Sequence, residues 1–132
     1  MRIPASALSR SQICSPLTFL LALEILSATA FAQTAYIRVN QVGYVSGAAK
    51  RAYLMASASE TGATFVLKNT SGSTVFGPVA VGTNLGSWSS SYPDVYALDF
   101  DGFTTAGTYT VSVSGPIAAT SPSFKVDIAA NL

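Results

Sequence analysis

Residues 108–114 read TYTVSVS, an unbroken alternation that sets Tyr109, Val111 and Val113 on one face and polar side chains on the other. A period of two belongs to a strand with one face on a core, and it gives this stretch no helical reading. The pattern recurs along the chain. Ile37 and Val39 alternate with Arg38 and Asn40, and Phe124, Val126 and Ile128 alternate with Lys125 and Asp127. Residues 50–56 (KRAYLMA) and 95–100 (VYALDF) are more continuously apolar, as central or covered strands are. Residues 65–67 and 74–81 complete the set. Gly77-Pro78 inside the latter assigns it to an edge or a bulge, because proline has no N–H to give a ladder. Turn-forming residues separate these runs at 42–47, 57–63, 69–72, 101–107 and 115–122, and residues 82–93, rich in Ser and Gly, are the least regular stretch.

About seven short strands spaced by roughly 8–12 residues predict an all-β fold, an immunoglobulin-like antiparallel β-sandwich. Asp101, Gly107 and Tyr109 fit a tyrosine corner, in which a tyrosine at the start of the penultimate strand turns its hydroxyl back onto the preceding loop. The alternative, Tyr109 as a plain core aromatic, leads to the same fold.

The first 32 residues do not follow this pattern. Arg2 and Arg10 precede an apolar run over residues 17–26, and Ala30-Phe31-Ala32 follows it. Basic, apolar and small segments in that order predict a secretory signal peptide over residues 1–32, against the alternative of an uncleaved helix. The run is too short to span a bilayer, which takes about 20 residues. The domain is then residues 33–132, exported to the periplasm or medium, with no membrane partner after cleavage. Cys14, the single cysteine, leaves with the leader and lacks the small-residue context of a lipid anchor. Without a disulfide, the domain depends on its apolar core.

Charge narrows the partners. The domain's basic residues are Arg38, Lys50, Arg51, Lys68 and Lys125, and its acidic ones are Glu60, Asp94, Asp99, Asp101 and Asp127. They balance and do not cluster, so a nucleic-acid partner has no basic stripe to neutralise its phosphates. So uncharged a surface suggests that part of it is covered by a neighbour.

The chain has no histidine, which with the loss of Cys14 removes Ser-His-Asp and Cys-His catalysis and nearly all zinc and copper sites. No Gly-rich phosphate loop is present. Asp99 and Asp101 are two apart on one face, but they flank a corner where aspartate commonly accepts backbone N–H bonds. They are read as turn residues rather than the carboxylate pair of a glycosidase. Asp94, Asp99 and Asp101 could also give oxygens to a structural calcium ion, although no calcium-loop spacing supports it. No catalytic residue, metal ligand or cofactor is therefore assigned. Trp88, Tyr92 and Tyr96 stand as a sugar-stacking candidate, weighed against the reading taken for Trp88, a ring filling the core or a domain interface. Asn69-Thr70-Ser71 is a glycosylation sequon, meaningful only in a eukaryotic host.

One ordered set of motifs is more specific. Residues 37–44 (IRVNQVGY) are followed by Lys50-Arg51-Ala52, by residues 95–100 (VYALDF), by residues 105–109 (TAGTY) and by residues 121–126 (SPSFKV). This series resembles the N-terminal Ig-like domain of glycoside hydrolase family 9 cellulases across nearly all of residues 36–128. The resemblance implies a module packed against an (α/α)₆ barrel that cleaves β-1,4-glucans with inversion, the catalytic acids lying in the barrel. None is carried onto this chain, and the barrel is expected beyond Leu132. Asn40, Gln41, Gly43 and Tyr44 are candidates for the domain interface, since amides bond well to backbone across a boundary and glycine permits a tight turn. The alternative is a self-contained turn.

The expected function is a non-catalytic accessory module of a secreted polysaccharide hydrolase, with the catalytic domain as partner and β-glucan as a second partner. The alternatives are an independent carbohydrate-binding domain and an adhesion-type Ig-like domain. A stand-alone enzyme is not expected.

Overall fold

The alternating faces meet across two sheets. A computed structural model describes residues 31–132; the predicted leader lies, but for its last two residues, outside the described residues. The smaller sheet holds β1 (Ala35–Arg38), β3 (Arg51–Ala56) and β6 (Asp94–Asp99) in the order β1-β3-β6, all antiparallel. The larger sheet runs β2-β9-β7-β4-β5, built from β2 (Tyr44–Val45), β9 (Phe124–Asp127), β7 (Gly107–Ser114), β4 (Thr64–Asn69) and β5 (Thr74–Ala80). The short β8 (Ala119–Thr120) pairs with β7, and a 3₁₀ turn spans Ala129–Asn131.

The sandwich expected from the sequence is present, with two differences in detail. The described residues form nine strands rather than about seven, because β2 and β8 are two residues each, too short to show an alternation. The larger sheet is mixed rather than purely antiparallel, since β2 runs parallel to β9, with Tyr44 opposite Val126.

The core follows from strand parity. Ala52 and Leu54 of β3 point inward with Tyr96 and Leu98 of β6, and they meet Phe65 and Leu67 of β4 and Tyr109, Val111 and Val113 of β7. At one end Tyr44, Phe100 and Phe124 form an aromatic cluster with Tyr44–Phe100 and Tyr44–Phe124 centroids 5.1 and 5.3 Å apart, both edge-on. Each such side chain contributes about 1.5–3 kcal/mol when buried, which lets the domain fold without a crosslink.

Two irregular stretches position the surfaces below. Strand β5 is the edge of the larger sheet, and its register against β4 shifts between Phe65 and Leu67, opposite Gly77-Pro78. Residues 82–85 run beside the free edge of β6. The Gly82 N–H donates to the Ala97 carbonyl (3.1 Å) and the Leu85 N–H to the Val95 carbonyl (2.7 Å). Residues 86–93 then fold back, the Trp88 N–H donating to the Tyr92 carbonyl at 3.0 Å.

Candidate functional site

The conspicuous motif residues converge on one corner, where they bond to each other. The Asn40 N–H donates to the Tyr44 hydroxyl (3.0 Å), and that hydroxyl donates to the Arg51 carbonyl (2.9 Å). The Asn40 side-chain oxygen accepts the Val42 N–H (3.0 Å), and the Asn40 carbonyl accepts the Gly43 N–H (3.1 Å). Gly43 has φ +118°, and a Cβ there would lie 2.9 Å from the Lys125 carbonyl oxygen. The position therefore accepts only glycine without strain. Tyr44 is 7% exposed, and burial pushes its phenol above the ordinary value, opposed in part by the Asn40 hydrogen bond. Of the four proposed interface residues, Tyr44 and Gly43 are therefore buried inside the domain, and Asn40 is an exposed turn residue. Gln41, with neighbouring Val42, is exposed.

The next motif residues extend the same lock. Lys50 is wholly buried. Its N–H donates to Asp101 Oδ1 (2.5 Å), and its Nζ donates to the Ala48 and Asp101 carbonyls (2.7 and 3.2 Å). Arg51 meets Asp99 as a two-pronged pair, Nε–Oδ1 at 2.6 Å and Nη2–Oδ2 at 2.9 Å. The pair raises the already high guanidinium pKa, chiefly through the side-chain hydrogen bond to Asp99. Asp94 bonds to Asn84. Asp94, Asp99 and Asp101 thus have separate local partners, and among the described residues no three His, Cys, Asp or Glu gather into a metal-holding group.

The Tyr109 hydroxyl turns back onto the Thr105 and Ala106 carbonyls (3.1 and 3.2 Å). A Cβ on Gly107 would sit 2.6 Å from that hydroxyl oxygen, so glycine makes room for it. Asp101 takes no part in this bond, its carboxylate being held by the Lys50 N–H.

The three aromatic candidates separate. Trp88 is 70% exposed, which corrects the core half of its reading and leaves the domain-interface half standing. Tyr92 meets Tyr36 of β1 edge-on, centroids 5.7 Å apart, so residues 86–93 cross the outer face of the smaller sheet. Tyr96 is 5% exposed, and its hydroxyl accepts the Glu60 N–H (3.0 Å), which removes it from any sugar-facing platform. The parity of β6 sends residue 96 inward and residues 95 and 97 outward.

Sequence reasoning passed over Glu60 as a turn residue. It is wholly buried, with Oε2 accepting the Ile117 N–H (3.3 Å) and Oε1 lacking a hydrogen-bond partner among the described residues. Burial pushes its carboxyl above the ordinary range, against the smaller lowering effect of the Ile117 N–H. Nothing in the sequence marks such a residue, because the side chains that cover it come from distant segments.

Comparison with known proteins places this geometry. A family model described as a cellulase N-terminal Ig-like domain matches residues 32–116. A solved Bacteroides ovatus GH9 structure is 32% identical with a TM-score of 0.53, over 69% of this chain and 15% of that one. A metagenome-derived glycoside hydrolase family 9 endoglucanase is 30% identical with a TM-score of 0.53, over 70% of this chain and 18% of that one. The chain thus spans less than a fifth of either solved protein. No curated protein matches it.

Proposed function

This chain belongs to the cellulase N-terminal Ig-like domain family, and from that premise we propose that it serves as the non-catalytic front module of a secreted glycoside hydrolase of family 9, stabilising and orienting an (α/α)₆ catalytic domain. The observation that carries the reading is the family match together with about 30% identity to two proteins described as GH9, of which this module is the smaller part. The chemistry agrees with it. The chain has no histidine, and the acidic residues near its motifs are occupied in holding the corner together. A module of this kind works beside polysaccharide, outside the cell, after its leader has been removed.

The test is to express the chain with and without a GH9 catalytic domain from the same genome. Association, and a catalytic domain whose melting temperature rises by several degrees, is the expected result. No association and no change in melting would sink the reading. The purified chain is expected to release no reducing sugar from carboxymethylcellulose. Amino-terminal sequencing of the exported protein is expected to begin at Gln33.

A further inference from the structure

The outer face of the smaller sheet carries a groove. Strand register sets Tyr36, Met55 and Val95 in one row across the sheet, and Arg38, Tyr53 and Ala97 in the next. Trp88 comes over these rows from residues 86–93. The resulting cleft of about 400 Å³ is lined by Arg38, Tyr53, Met55, Trp88 and Val95. Its size falls within the ~300–1,000 Å³ of small-ligand sites.

The lining defines what can bind. It contains no carboxylate to pair with a cation, and the positive charge of Arg38 on the wall disfavours one. Arg38 alone cannot hold a polyanion, which needs several neutralising contacts. The ion pairs among the described residues, Arg51–Asp99 and Lys125–Asp127, leave Arg38, on the wall of the groove, without a carboxylate partner. Trp88 and Tyr53 offer aromatic surface, and Met55 and Val95 give an apolar floor. A neutral ligand with apolar faces and hydroxyl-bearing edges matches all of these, and that is the build of an equatorially linked sugar chain.

We propose that this groove binds a β-1,4-linked glucan, with Trp88 and Tyr53 stacked on the C–H faces of successive sugars and the Arg38 guanidinium donating to their hydroxyl edge. The choice of glucan over another neutral glycan rests on the family reading above; the groove does not depend on it. Tyr92 supports the site from behind, holding the Trp88 loop against Tyr36. A protein surface is the competing occupant. The concavity of the groove favours the sugar chain over a flat protein contact.

Trp88 is the only tryptophan in the chain, so its fluorescence reports on the groove directly. Titration of the purified chain with cellohexaose is expected to give a saturable blue shift, and barley β-glucan in a native gel is expected to retard it. Trp88→Ala should abolish retardation. Tyr53→Phe should keep it, while Tyr53→Ala and Arg38→Ala each weaken it by about tenfold. Circular dichroism of each variant confirms folding. No shift and no retardation, or full retardation of Trp88→Ala, overturns the proposal. If a GH9 catalytic domain in trans shields Trp88 while cellohexaose does not, the groove is a domain interface; the glucan proposal fails and the module reading stands. Glucan binding without domain association upholds the groove proposal and overturns the module reading.

Discussion

The motif corner and the Trp88 groove are built on opposite principles. At the corner, Asn40, Tyr44, Lys50, Arg51, Asp99 and Asp101 satisfy one another, Tyr44 and Lys50 inside the domain and the Arg51–Asp99 pair half-exposed at its surface. In the groove, Trp88 stands open, and among the described residues Arg38 lacks a carboxylate. The residues of the corner therefore hold the fold, while the groove takes its floor from outward positions of β1, β3 and β6 and its most exposed ring, Trp88, from the least patterned stretch. Recognising the family from the corner identifies the scaffold, while the working surface must be found from side-chain exposure.

Substitutions put that contrast to the test. The largest effect is expected at Phe100, wholly buried between Tyr44 and Phe124. Phe100→Ala should cost about 3–5 kcal/mol in a urea unfolding curve. Tyr44→Phe comes next. It keeps the ring but strands the Asn40 N–H and the Arg51 carbonyl, at about 1–3 kcal/mol in the same assay. A neutral result would mean that water replaces the hydroxyl and that the corner is not closed.

Glu60 gives a smaller, pH-dependent effect. Its carboxyl is raised in the folded state, so the folded protein holds the proton to higher pH than the unfolded chain does. Its contribution is fully present below the ordinary carboxylate range and is lost as pH rises through the raised folded value. Wild-type unfolding midpoints should therefore decline from about pH 4 toward neutrality relative to Glu60→Gln, in which that slope is removed. An identical slope in both proteins would assign it to other groups. The smallest effect is expected at Trp88. Trp88→Ala should move stability by less than about 0.5 kcal/mol, although it removes the largest side chain in the domain. A loss of several kcal/mol would show that Trp88 supports the fold after all and would erase the contrast.

Much of this was legible from residue order, and the rest was not for definite reasons. Strand β7 shows its alternation in full, and Gly77-Pro78 places β5 at an edge with a register shift, as found. The two-residue strands carry no period to detect. Residues 82–85 have no alternation because all four are exposed and neither face of the run meets the core. The exposure of Trp88 runs against the usual covering of large aromatics, so residue type pointed inward. The burial of Lys50 and Glu60 depends on segments far away in the chain. The split of Trp88 from Tyr96 was within reach, since continuing the parity of β6 outward from Leu98 sends residue 96 into the core.

The run of residues 82–85 beside β6 has a consequence for behaviour at high concentration. An open sheet is a template for a second chain, because its outermost strand presents an unused row of amides and carbonyls. Here the β6 side is sealed by the chain's own backbone, and the β5 side is interrupted by a proline that cannot donate. The remaining margins, β1, β2 and β8, are four, two and two residues long. A domain with balanced charge has little electrostatic repulsion to keep its copies apart. Its resistance to stacking into fibrils therefore rests on how its margins are finished, and a variant that straightens residues 77–85 into a regular strand would be the one to polymerise.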